Sequence, residues 1–183
     1  DAGIDSPFAW RRLGAAVVLA TIGSVGTWSV PVVLPAVQSA FGVARGDASL
    51  PFTLAMIGFG VGGVVMGRLT DRFGMLAPVL CGVSSLSTGY IAAGFAPNLV
   101  VFALVHMFIG LGTSATFGPL MADTSQWFTR RRGIAVAIVS SGNYIGGVIW
   151  PPLLQHLVSA EGWRMTHIVV GVVCVLGMLP FVP

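Results

Sequence analysis

Few side chains in this sequence can do chemistry, and those that can lie inside long apolar runs. His106 sits in His106-x-x-x-Gly110-x-Gly112, where an imidazole that binds and releases a proton near neutral pH is a candidate proton carrier or substrate contact. The same ring can instead serve as interhelical glue, a hydrogen bond worth ~0.6–2 kcal/mol in membranes. Asn143 and Tyr144 put an amide and a phenol at the centre of another run. Both can donate to a carboxylate without burying a charge, and Asn143 can alternatively tie helices together beside the Gly142-x-x-x-Gly146 packing face. Thr27 and Trp28 offer a hydroxyl and an aromatic wall, with Ser24 four residues before Trp28 on the same face. Trp28 is also a candidate interfacial anchor. Thr113, seven residues after His106, shares its face; the remaining Phe and Met residues read as lipid-facing or packing. H-E-x-x-H, G-x-S-x-G, C-x-x-C and G-x-x-x-x-G-K-[ST] are all missing, so no enzyme, metal site or bound cofactor is expected. Ser87-Thr88-Gly89-Tyr90 lacks the full T-V-G-Y-G of an ion filter and reads as ordinary helix.

The elements that must hold these residues follow from where charge is missing. The 183 residues contain nine arginines, no lysine and six acids, so only 8% are charged while 55% are hydrophobic. Soluble domains run near ~25% charged. Mean hydropathy is +0.91. This balance excludes a disordered chain, a water-soluble globule and a nucleic-acid-binding surface, despite the formal net charge of +3. No charged residue falls in 13–44, 48–67, 73–122, 133–160 or 165–183. A span needs roughly 20 apolar residues, and Phe95-Ala96-Pro97-Asn98 divides the longest stretch by a turn signal. Pro31 and Pro35 lie too close together to divide the first. Six transmembrane helices are therefore predicted, at about 13–36, 49–67, 77–95, 98–121, 133–155 and 164–183; helices, because lipid offers the backbone no other partner. Seven arginines (Arg11, Arg12, Arg68, Arg72, Arg130, Arg131 and Arg132) fall on one side and only Arg45 and Arg164 on the other. The positive-inside rule then puts both termini in the cytoplasm. Arg11-Arg12 before an apolar run imitates a signal sequence, but that run is too long for one. Cys81 and Cys174 fall at different depths, which argues against a disulfide between them.

Gly67-Arg68-Leu69-Thr70-Asp71-Arg72-Phe73-Gly74 joins the second and third spans. This G-x-x-x-D-R-x-G stretch resembles the signature loop of the major facilitator superfamily, and lies where that family has it, at the inner end of the second span. Gly67 is expected to let that span end against a neighbour without an intervening side chain, and Gly74 to permit a tight turn. Asp71 and Arg72 would pair with adjacent helices where membrane gives way to water. The family commonly continues with two basic residues, where this chain has Met75-Leu76. The charge cluster that helps hold the inner gate shut is then thinner, or supplied by Asp123 with Arg130, Arg131 and Arg132. A second run is Gly118-Pro119, Gln126-Trp127-Phe128-Thr129-Arg130-Arg131-Arg132-Gly133-Ile134-Ala135, Ser141-Gly142, Pro151 and Gly162-Trp163-Arg164. It is similar to the monocarboxylate-transporter and oxalate–formate-antiporter branch.

The resemblance implies an all-α membrane protein, one six-helix half of a twelve-helix fold, built as a three-plus-three inverted repeat. The chain begins with Asp and its sixth span runs out at Pro183, so it reads as the N-terminal half of a longer carrier whose C-terminal half is absent; a half-size protein acting as a dimer is the alternative. The implied function is secondary active transport of a small organic anion, a mono- or dicarboxylate, by proton symport or anion exchange with alternating access. The implied setting is the plasma (cell inner) membrane. Its partners would be that substrate, protons, the lipid bilayer and the missing half, with no nucleic acid. The family's first and fourth helices face the central pathway, which favours Thr27, Trp28 and His106; some branches have an arginine at the position of His106. No acid or base lies mid-span, so the positive charge an anion carrier needs would come from a protonated His106 or from the missing half. The rivals are a membrane sensor or assembly protein with the same fold, and an intramembrane enzyme, against which the missing motifs speak.

Overall fold

The computed structural model describes residues 3–182. Helix α1 (Pro7–Gly23) starts at Ser6, whose hydroxyl accepts from the Ala9 N–H at 3.3 Å, with Pro7 in the first turn where a missing N–H costs nothing. Helix α2 (Val25–Phe41) continues it after an interruption at Ser24 and ends at Gly42 in the left-handed region. A single turn, α3 (Arg45–Ala48), leads into α4 (Leu50–Phe73), and α5 (Leu76–Gly94) follows. Helix α6 (Leu99–Ala115) is capped by the Asn98 side chain, and α7 (Gly118–Trp127) extends it past a second interruption. Helix α8 (Arg132–Met178) ends in a 3₁₀ turn, Leu179–Phe181.

Five segments are long and apolar enough to cross a membrane: Pro7–Phe41, Arg45–Phe73, Leu76–Gly94, Leu99–Trp127 and Arg132–Phe181. The expected fifth and sixth spans share the last of these, broken at Gly162 with φ 79° and ψ 163°. The two arms fold back on each other, because Gly146 lies against Ser24 of the first segment while Gly177 lies against Ile22. In a straight helix those glycines would stand roughly 46 Å apart at 1.5 Å per residue. Several expected bounds are shifted, and the second span, expected at 49–67, stays helical to Phe73. The first span begins at Pro7 and runs to Phe41, and the expected 122–132 loop shrinks to 128–131, because α7 stays helical to Trp127.

Glycine sets the closest contact in the bundle. A Cβ on Gly58 would run into the Met107 carbonyl and one on Gly110 into that of Ala55, so α4 and α6 touch backbone to backbone. Polar ties join the remaining helices. Ser29 and Tyr90 share a hydrogen bond of 2.6 Å, the Ser87 hydroxyl donates to the Gly171 carbonyl at 2.6 Å, and the Trp150 indole donates to that of Thr21 at 2.9 Å. Arg164 sits just past the Gly162 break, its guanidinium stacked on Trp163. It donates to the Gly94 and Ala96 carbonyls at the open end of α5, at 3.1 and 2.9 Å. Large apolar side chains such as Val64, Leu104, Val148 and Leu176 are more than half exposed, a surface that lipid can cover and water cannot.

Candidate functional site

The two interruptions define the site. The first segment tightens over one turn at Ser24, where the Thr27 N–H reaches back only three residues to the Ser24 carbonyl at 2.9 Å while the Trp28 N–H keeps its four-residue bond to the same carbonyl at 3.3 Å. The fourth breaks at Thr116–Phe117, whose N–H groups bond to Thr113 and Ser114 in the same three-residue pattern. These segments open the first and second triplets of spans, so the breaks hold corresponding positions. They also pack together: a Cβ on Gly23 would strike the Thr116 side chain, and one on Gly26 that of Thr113.

Beside this contact lies a cavity of about 240 Å³ lined by Ala20, Ser24, Thr27, Met56, Phe59, Thr113, Thr116, Phe117 and Asn143. Four segments contribute, and Phe59 and Phe117 approach at 6.1 Å between ring centres on one wall. Among the described residues no Arg, Lys, His, Asp or Glu lines it. A larger cleft of about 390 Å³ lies at the arginine-rich end between Arg11, Arg12, Asp123 and Phe181. It borders the last described residues and holds an ion pair already made, so the cavity between the two irregular segments is the better candidate.

Of the expected substrate contacts, Thr27 and Asn143 meet in this cavity, and so do Ser24 and Thr113. Trp28 stands beside them, its indole N–H donating to the Asn143 main-chain carbonyl at 3.2 Å and its ring against Gly147. Tyr144 lies outside, 70% exposed on the outer surface of the bundle. His106 also lies outside. Its Nδ1–H donates to the Phe102 carbonyl at 2.8 Å, and its ring is fully enclosed by Phe102, Tyr90 and His167. His106 and Thr113 do share a face of α6, but two turns apart, and at the level of His106 the third and sixth spans close over it. Met56, Phe59, Thr116 and Phe117 were not expected here. The i, i+3 spacing of Met56 and Phe59, and the Gly118-Pro119 break signal after Phe117, are the traces they leave in sequence.

The residues expected to gate divide. Gly74 turns the chain with φ 75°, and its N–H bonds to the Thr70 carbonyl at 2.9 Å, as a tight turn requires. Gly67 departs from expectation, since a Cβ there meets open space within this chain. Asp71 and Arg72 belong to the last turn of α4 and are exposed, with Arg72 over Phe73 at 5.2 Å. Asp123 is paired, but to Arg12 at 3.0 Å rather than to the arginines that follow it. That guanidinium also lies 4.8 Å above the Trp127 ring. Arg131 is exposed beside Asp5, while Arg132 donates to the Phe128 carbonyl at 3.2 Å. The Asp5 carboxylate accepts from the Thr129 hydroxyl at 2.8 Å and the Arg130 N–H at 3.2 Å, which holds it below the usual aspartate range.

The family model described as Major Facilitator Superfamily matches residues 16–183. Among curated proteins, the riboflavin transporter RibJ of Trypanosoma brucei brucei is 36% identical over 66% of this chain and 22% of its own length. Human monocarboxylate transporter 11 is 26% identical over 92% of this chain and 36% of its own. The probable sulfoacetate transporter SauU of Cupriavidus necator is 25% identical over 88% of this chain and 38% of its own. The chain thus spans less than two fifths of the length of these relatives. A crystal structure of a peptide transporter in complex with sulfate superposes with a TM-score of 0.80, covering 93% of this chain and 37% of that one. At 17% identity this likeness shows the fold alone.

Proposed function

Given that the chain belongs to the Major Facilitator Superfamily, we propose that it forms the N-terminal six-helix half of a secondary active transporter and that the cavity between the two interrupted segments is its share of the substrate path. One observation carries this reading: two segments in corresponding positions of the triplets are irregular where they pack together, and a small cavity with hydroxyl and amide residues in a mostly apolar wall lies beside that contact. Interrupted helices at repeat-related positions mark the binding depth in such carriers. Their side chains can hold a solute without fixed charge, and Met56, Phe59 and Phe117 supply the apolar wall.

The substrate is a small organic anion, moved by alternating access with protons or in exchange for another anion. The branch motifs support this, as do the names of two relatives, a monocarboxylate and a sulfoacetate transporter; the riboflavin transporter's name points elsewhere. The arginine-rich end faces the cytoplasm, and there Asp71, Arg72 and the Arg12–Asp123 pair form this half's part of the inner gate.

The test is uptake and binding of a labelled monocarboxylate by the full-length carrier in proteoliposomes. Asn143→Leu is expected to raise the dissociation constant about tenfold or more, since the wall loses its amide. Asp71→Asn is expected to slow turnover with binding little changed, because its charge can bias only the inward–outward equilibrium. Unchanged affinity in Asn143→Leu would remove the cavity from the path.

A further inference from the structure

Taking the cavity as part of the transport path, we infer that this half receives the apolar tail of the substrate and not its charge. The favoured anions are then monocarboxylates with a short hydrocarbon chain, and dicarboxylates are rejected.

Little of the cavity's polar lining is left to a ligand. The Ser24 hydroxyl donates to the Thr21 carbonyl at 2.8 Å, that of Thr113 to Ile109 at 2.9 Å, and that of Thr116 to Thr113 at 2.8 Å. Each of these side chains is also packed on a glycine of a neighbouring helix: Ser24 on Gly146, Thr113 on Gly26 and Thr116 on Gly23. All three residues are at most 3% exposed. Their hydroxyls are occupied in holding the helices together. That leaves the Thr27 hydroxyl and the Asn143 carboxamide as the polar lining groups not so committed, beside Ala20, Met56, Phe59 and Phe117.

Burying a carboxylate is costly unless several donors or a cation replace its water. Among the described residues no cation lines the cavity, and one hydroxyl and one amide can steer a ligand but not replace that water. Methylene groups meet the opposite balance, because each one taken from water onto Met56, Phe59 and Phe117 is stabilised without needing a partner. An anion with one charged and one apolar end therefore enters this half tail first, and its carboxylate stays with the rest of the carrier. A second carboxylate at the tail would have to enter the same wall. At about 240 Å³ the cavity falls below the roughly 300–1,000 Å³ of drug-sized sites, which fits a tail of a few carbons. Phe59 and Phe117 brace each other at 6.1 Å, so the unbranched Met56 is the wall residue most open to exchange.

The test measures binding of acetate, propionate, butyrate and succinate to the full-length carrier in proteoliposomes. Affinity is expected to rise about fourfold per added methylene from acetate to butyrate. Succinate, which is butyrate with its terminal methyl replaced by a second carboxylate, should bind more than about tenfold weaker than butyrate. Met56→Ala removes part of the apolar wall and should cut the gain per methylene to about twofold. Met56→Lys sets a cation in the wall and should bring succinate level with butyrate or ahead of it. Affinity that stays flat or falls with chain length, or wild-type succinate binding within about tenfold of butyrate, overturns the inference and leaves the anion reading standing. A methylene gain unchanged in Met56→Ala together with a succinate ratio unchanged in Met56→Lys puts the tail elsewhere and also overturns it. The wild-type series decides where a variant fails to fold. Binding of none of the four acids removes both readings.

Discussion

An imidazole enclosed by Phe102, Tyr90 and His167 has no contact with the cavity through which a coupled proton would travel with its substrate. His106 is therefore a packing residue in our reading. His106→Gln should leave gradient-driven accumulation intact and lower thermal stability by about 1–2 kcal/mol, the scale of an interhelical bond with imperfect repacking. Accumulation lost while downhill exchange persists would return His106 to proton coupling. At the other end of the bundle, Asp5 holds the 128–131 turn through its carboxylate. Its pKa lies below the ordinary 3.8, first through the Thr129 hydroxyl and then through the Arg130 N–H. A depressed carboxylate pKa makes the tie complete above the ordinary value and weakens it as pH falls through the lowered one. Amide exchange at Thr129 and Arg130, corrected for intrinsic rate, should accelerate on acidification in the wild type. In Asp5→Asn it should already be fast at neutral pH and change little.

At the scale of elements, the α4–α6 contact has a built-in control. Gly58 and Gly110 meet backbone carbonyls, whereas a Cβ on Gly60 or Gly63 of the same α4 meets open space. Gly58→Ala or Gly110→Ala should push the helices apart and destabilise the protein by about 1–3 kcal/mol. Gly60→Ala and Gly63→Ala should be neutral or slightly stabilising, and melting in detergent separates the two pairs. Equal effects at all four positions would mean the helices are not in direct contact. No feature of sequence separates these glycines, because spacing along one helix does not show where a neighbour's carbonyl stands. The same limit explains what was legible elsewhere. Charge-free stretches pointed to the long apolar helices, since the cost of charge in lipid is a property of single residues. The tightened turn at Ser24 left no mark, because serine is an ordinary helix residue and it is the packing of neighbouring Gly23 on Thr116 that brings the two segments together. Thr27 and Asn143 line one cavity, as their similar expected depth allows, whereas depth along a span does not reveal that Phe102, Tyr90 and His167 close over His106.

At the scale of the whole molecule, the proposed orientation rests on the arginines gathered at one end of the bundle. Single cysteines at Thr129 and at Asn98, in a carrier lacking Cys81, should label from opposite sides of sealed vesicles, Asn98 from outside. Labelling of both from one side would overturn the proposed orientation together with the cytoplasmic place of Asp71. The break at Gly162 reaches further than topology. From Arg132 to Glu161 the first arm of α8 holds 30 residues, about 45 Å of helix against a hydrocarbon layer of ~30 Å. With its arginine end at the cytoplasmic boundary, as proposed, its far end stands clear of lipid, carrying exposed Gln155, His156, Ser159 and Glu161, and is tied to α5 through Arg164. An antibody or nanobody can grip such a rigid knob as a discontinuous epitope. Because both arms of the reversal compose that epitope, its recognition would register the folded state of the carrier, and a binder selected on it would serve as a conformational gauge.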